Sequence, residues 1–213
     1  MNALSGFDMG GGGSEGPWIG WSARGAQDGS VPAQSFFLRD QNCRRTFDVI
    51  KTDGIVLDLN TIKTGWCYSS GVQGQAPVWQ WNPSVSHFTA KPADPAHGAS
   101  FKKGFSVRCA IGDGQTATWE DSGAGAWNSF TALVPALQQA PDDKLPLIRM
   151  TGAEVERFAR GTTSRANLEV IQWVDRPDCL KTGVAAGIAA RPAEAAAPAS
   201  QTPPPRSALP SEF

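Results

Sequence analysis

The stretch GIVLDLNTIKTGW (54–66) decides the fold class. On an extended backbone Ile55, Leu57 and Leu59 fall on one face, and Val56, Asp58 and Asn60 fall on the other. An apolar face backed by a partly polar one is the period-2 pattern of a half-buried strand. The same chemistry recurs on both sides. Upstream, WIGWSARG (18–25) is aromatic and β-branched, and SFFLRD (35–40) and TFDVI (46–50) are short apolar runs between polar turns. Downstream, APVWQWNPSV (76–85) sets Trp79 and Trp81 two apart, hence on one face if extended. FKKGFSVRCAIG (101–112) opposes Phe105, Val107 and Cys109 to Ser106 and Arg108. LPLIRMTGAEVERF (145–158) and NLEVIQWV (167–174) predict two more strands joined through Gly161. In the second, Leu168, Val170 and Gln172 oppose Asn167, Glu169, Ile171 and Trp173.

One segment breaks this rhythm. In GAGAWNSFTALVPALQQ (123–139), Trp127, Phe130, Val134 and Leu137 recur at helical spacing and make one apolar stripe. The stripe reads as core packing, with a kink or a new turn expected at Pro135. Residues 86–100, rich in Pro, Ala, His and Gly, read as a long loop. The order of several strands, one helix and two closing strands predicts a mainly β fold with one helix. It fits an OB-like β-barrel or a curved antiparallel sheet, followed by a disordered C-terminal tail.

Composition agrees. The chain has 213 residues, of which 40% are apolar and only 18% charged, with 23 Gly and 16 Pro, a balance that favours short strands over long helices. Eight Trp stand against one Tyr, so some indoles are expected on a contact surface. Residues 1–17 form a Gly-rich arm expected to be flexible. Residues 18–182 form the β-rich domain. Residues 183–213 are Ala/Pro-rich, bury too little apolar surface to offset their ordering entropy, and are expected to be disordered. The N-terminus lacks a signal-peptide pattern and no apolar run reaches membrane-spanning length, so cytoplasmic residence without membrane association is expected. Cys43, Cys67, Cys109 and Cys179 are irregularly spaced and read as buried thiols, neither a zinc pattern nor a disulfide scaffold.

Catalytic groups do not converge. His87 and His97 lie in or beside the Pro-rich loop without metal-ligand spacing. Glu120-Asp121 reads as a turn or helix start, since neighbours on a strand would face opposite ways, and Asp142-Asp143 reads as a turn. No GxSxG elbow is present. The expectation is a binding protein without turnover and without a cofactor.

The stronger signal is aromatic residues interleaved with basic ones, the combination that holds single strands by stacking and phosphate contact. The candidate nucleic-acid-binding residues are Trp66, Trp79, Trp81 and Phe88 for stacking, and Lys102, Lys103, Arg108, Arg157, Arg160 and Arg165 for phosphates. Trp21 and Trp173, and Lys63 and Arg149, extend the two sets. Trp79 and Trp81 lead, because Gln80, Asn82 and Pro83 do not resemble deep core; Trp119 and Trp127 are assigned to the core. A net charge of −1 weakens a nucleic-acid reading but leaves room for a local basic groove.

Trp18 and Trp21, KTGW (63–66), FKKGFSV (101–107) and LPLIRMTG…LEVIQWVDRP (145–177) together resemble phage- or prophage-encoded single-stranded DNA-binding proteins of the OB-fold type. The resemblance spans about residues 18–177 and implies sequence-tolerant binding of single-stranded DNA in phage replication or recombination. It also implies a tail tip that docks replication or recombination proteins, here through Phe213. The family's acidic cluster is reduced to Glu212, which puts that docking in doubt. A homo-oligomer stays open, as do three other classes: a carbohydrate-binding β domain using the same Trp platforms, a β-scaffold hydrolase or nuclease, and a phage structural or assembly protein.

Overall fold

The computed structural model describes residues 16–40, 43–70, 72, 75–95, 100–112, 114–159 and 161–181, without the side chain of Cys43. All of these fall within one compact unit, Met1–Gly183. Arg160, His97, Phe213, nearly all of the arm and the whole 183–213 tail lie outside the described residues.

The core is set by β7 (Lys102–Ile111) and β8 (Gln115–Ser122), an antiparallel pair in register from Gly104↔Ser122 to Ile111↔Gln115. Alternation works as the sequence predicts: Phe105, Val107 and Cys109 are fully buried on one face, while Ser106 and Arg108 are half-buried on the other. Around this pair a single sheet assembles. The remaining strands are β1 (Trp18–Ser22), β2 (Ser35–Asp40), β3 (Cys43–Thr46), β4 (Ile55–Leu57), β5 (Lys63–Tyr68), β6 (Val78–Trp81), β9 (Lys144–Phe158) and β10 (Gly161–Asp175). They run in the order β10-β9-β4-β7-β8-β1-β2-β3, with β5 beside β7 and β6 beside β5. β1 joins β8 in parallel; the other pairings are antiparallel.

The long predicted strand 54–66 is in fact two. Leu57 pairs with Cys109 and Lys63 with Ser106, so residues 58–62 face only 107–108 and coil into a 3-10 turn at Leu59–Thr61. The cause is Asp58. Its fully buried carboxylate accepts from Asn60 N at 3.3 Å and from Arg176 NH1 at 2.6 Å, local bonding that competes with a strand ladder. An insertion of this kind bends the sheet, as bulges do. TFDVI likewise divides: Thr46 ends β3, and α1 (Val49–Thr52) follows, burying Ile50.

The sheet curls into a half-barrel around α2 (Ala124–Leu137). Phe130 stacks on Phe105 at 4.1 Å between ring centroids, and Trp119 meets Phe105 and Phe36 edge-on. The buried helix face is Ala126, Phe130 and Leu133; Trp127 and Leu137 flank it, so the stripe is rotated from the one read in sequence. The helix continues through Pro135, which stands in its last turn and forgoes one i→i−4 bond there. The curl closes where the start of β10 meets the end of β1. Trp21 Nε1 donates to Ser164 O at 2.9 Å, Ser164 Oγ to Ala23 O at 3.1 Å, and Arg24 to Thr162 O at 3.1 Å. Ser129 Oγ takes the Ala166 N–H at 2.8 Å, tying the helix to the same edge. The curved-sheet alternative is therefore the one adopted. A last short helix, α3 (Asp178–Lys181), buries Leu180 against Ala110 and Leu145. No helix among the described residues is long and apolar enough to cross a membrane.

Candidate nucleic-acid interface

Residues directly opposite in a sheet share a face, so the register gives the layout of the convex side. Trp79, Cys67 and Lys102 form one row; Trp81, Gly65, Gly104 and Ser122 the next; Lys63, Ser106 and Glu120 a third. The two glycines make room. A Cβ at Gly104 would stand 2.6 Å from the Trp79 ring, and one at Gly65 would stand 2.9 Å from the Trp81 backbone. Trp79 thus leans across β5 and β7 toward β8. It stacks on Trp81 with centroids 4.3 Å apart and planes 6° from parallel.

Each indole spends one face on the other, and a hollow flanks each remaining side. The first, about 530 Å³, is lined by Trp79 but not Trp81, together with Trp18, Arg39, Gln75, Glu120 and Ser122. The second, about 270 Å³, is lined by Trp81 but not Trp79, with Lys63, Thr64, Asn82 and Pro83. Asn82 is fixed by donating to Thr64 Oγ1 at 2.8 Å and accepting from Thr89 N at 3.0 Å, which holds the chain as it leaves Trp81. A third hollow, about 720 Å³, shares Asp121 and Ser122 with the first and is lined by Arg24, Arg44, Lys102 and the start of α2.

The acidic pair is not a turn. Glu120 and Asp121 lie in β8 on opposite faces. Burial raises the Glu120 carboxyl above its usual range, eased by the nearby Trp79 and Ser106 donors and by Lys63. Asp121 sits in the seam where β1 leaves β8. Burial pushes its carboxyl up to about 7 against the pull of the Trp21 and Ser122 N–H groups that it accepts from.

The expected site residues separate into distinct places. Trp79, Trp81 and Lys102 share the convex face, and Lys63 joins them. Lys103 pairs with Trp66 on the other face, where its ammonium lies 5.1 Å from the Phe88 ring and 5.8 Å from the Trp127 ring. Trp66 itself faces inward: it is 9% exposed, packs edge-on against Phe88 and donates Nε1–H to Thr89 O at 3.0 Å. Trp21 is likewise buried. Arg108 donates to Cys179 O at 3.1 Å at the far end of β7. Arg165 pairs with Glu154 and Glu156, and Arg149 with Glu169, so these hairpin cations already have carboxylate partners. Arg157 is exposed near the hairpin end beside Val155 and Phe158.

Sequence reasoning missed Trp18, Arg39, Gln75 and Glu120 as neighbours of Trp79. Arg39 alternates out of SFFLRD as a polar strand position, but only the β1–β2 register, Trp18↔Arg39, brings it over the Trp18 ring at 5.9 Å. Among the described residues no group of three His, Cys, Asp or Glu could hold a metal ion. No family model matches the chain, and neither does any curated protein or solved structure.

Proposed function

We propose that this chain binds single-stranded DNA, largely without regard to sequence and without catalytic turnover, in the manner its resemblance to phage single-strand binders implies, where the strand would be held during replication or recombination. The observation that carries this reading is the Trp79–Trp81 stack, a two-sided aromatic platform on a glycine floor with an open hollow on each side. Bases stack on such faces irrespective of identity, because every base has a π-face. Cations flank the platform for the phosphates. Lys63 lies on the Trp81 side, Arg39 on the Trp79 side, and Arg24, Arg44 and Lys102 line the hollow that continues from it past Ser122. Phe88 and Lys103 form a separate contact point on the opposite face and are the weaker part of the proposal.

The test is the binding of a labelled oligo-dT to the protein and to Trp81→Ala, Trp79→Ala and Lys63→Glu/Lys102→Glu variants. The reading expects each Trp variant to bind more weakly and the charge-reversed variant to bind more weakly still at low salt. Unchanged affinity in all of them would remove this surface as the binding site.

A further inference from the structure

We infer that the hollow beside Trp79 is a base-reading subsite that takes guanine, so that one position of a bound strand is discriminated while its neighbours are not. The inference rests on the single-strand reading above and deepens it. The hollow is lined by two indoles, Trp79 and Trp18. Its distinctive polar group is Glu120, placed on the convex face of β8 by the register Ser106↔Glu120. The Trp79 Nε1–H is buried and turned to that carboxylate, with Ser106 beside it, so Glu120 is held at the edge of the indole.

Base chemistry selects the occupant. An ionised carboxylate only accepts hydrogen bonds, through two oxygens side by side. Guanine presents N1–H and the 2-amino N–H as two adjacent donors on its Watson–Crick edge, a geometric match to those two oxygens. Adenine and cytosine each place one amino donor beside an acceptor nitrogen, which a carboxylate oxygen would repel. Thymine offers one N–H between two carbonyls. A base stacked on Trp79 with its edge toward Glu120 is therefore bonded twice only if it is guanine. Arg39, held over the Trp18 ring, supplies a cation at the same hollow for the attached phosphate. Lys63, opposite Ser106 in the next strand, is the cation beside Glu120 and opposes the burial that raises its carboxyl.

The experiment compares four labelled oligomers by fluorescence anisotropy: all-dT, and the same length with one central dG, one deoxyinosine, or one dA. The wild-type protein is expected to bind the dG oligomer about tenfold more tightly than all-dT, the discrimination typical of a good two-bond contact. Inosine, which lacks the 2-amino donor, should fall between them, and dA should not exceed dT. Glu120→Gln should bring the dG and dT affinities to equality, whichever way the dT affinity moves. The inosine comparison needs no variant, so a Glu120→Gln protein that failed to fold would not shield the inference. Equal binding of dG and dT oligomers would overturn this inference and leave the proposed function standing. So would a dG preference that inosine matches in full. Binding of none of the four would overturn both, and displacement by a neutral oligosaccharide instead would assign the Trp79 hollow to sugars.

Discussion

Replacing Trp79 or Trp81 with alanine removes a stacking face without opening the core, because both indoles lie on the convex side of the sheet and neither belongs to the buried cluster. Each substitution is expected to cost about 1–3 kcal/mol of single-strand affinity while thermal unfolding stays close to wild type. Trp119→Ala is the control in the other direction. Its ring is fully buried among Phe36, Phe105 and Phe130, so it should lose about 3–5 kcal/mol of stability. Asp121 gives a pH signature. Its folded-state carboxyl titrates at about 7, above the ordinary 3.8, so between those values the folded protein holds a proton that the unfolded chain has released. Stability contributed by this group is therefore fully present below pH 3.8, falls as pH rises toward 7, and changes no further above it. Glu120 adds a smaller slope of the same sign. Asp121→Asn, which keeps an acceptor for the Trp21 N–H, should flatten the decline; urea unfolding at pH 5 and pH 8 for both proteins measures it. Equal slopes would show that Asp121 does not carry the dependence.

Strand identity was legible in the sequence where apolar and aromatic residues cluster between turns. WIGWS, SFFLRD, VWQW and KKGFSVRCAI all appear as strands, and the 145–158 and 167–174 segments pair as read, with β10 starting earlier, at Gly161. β3, β8 and the short helices α1 and α3 were not read from the sequence, and two further features were hidden for physical reasons. The break at Asp58 depends on Arg176, a partner 118 residues away that no local pattern reveals. The bulges near Leu168 and Ile171 shift the register of β10, so its alternation could not be carried through in one frame. The Asp58–Arg176 pair invites a direct check. Arg176→Ala leaves a fully buried carboxylate without its cation and should destabilise the fold by about 3–5 kcal/mol. A loss below 1 kcal/mol would mean that the break in the strand does not depend on the pair. At the glycine floor, a Gly104→Ala Cβ would meet both the Trp79 ring and the Asp121 carbonyl at 2.6 Å. That variant should disturb the near-UV signal of the indole stack and weaken binding as Trp79→Ala does. An unchanged signal and affinity would show that Trp79 does not need the cleft.

At the scale of the whole molecule, the half-barrel divides labour between its faces. The concave side is filled by α2 and by Phe105, Trp119 and Phe130. The convex side carries the indole stack, and its partners come from strands far apart in sequence: Trp18 and Arg39 from β1 and β2, Trp79 from β6, Glu120 from β8. This is why the site was only half visible beforehand. The Trp pair is local and announces itself, whereas the groups around it are assembled by the sheet order. Several cations that looked available in the sequence, Arg149 and Arg165 among them, are held by carboxylates of their own hairpin. The charge left for phosphates is modest, so the proposed binding should lean on stacking and show a shallow salt dependence. The most direct test is a titration with oligo-dT followed by intrinsic Trp fluorescence at low and high salt. The account predicts quenching that saturates, that weakens as salt rises and that is reduced in Trp79→Ala and Trp81→Ala; no change in fluorescence with any single strand at either salt concentration would contradict it.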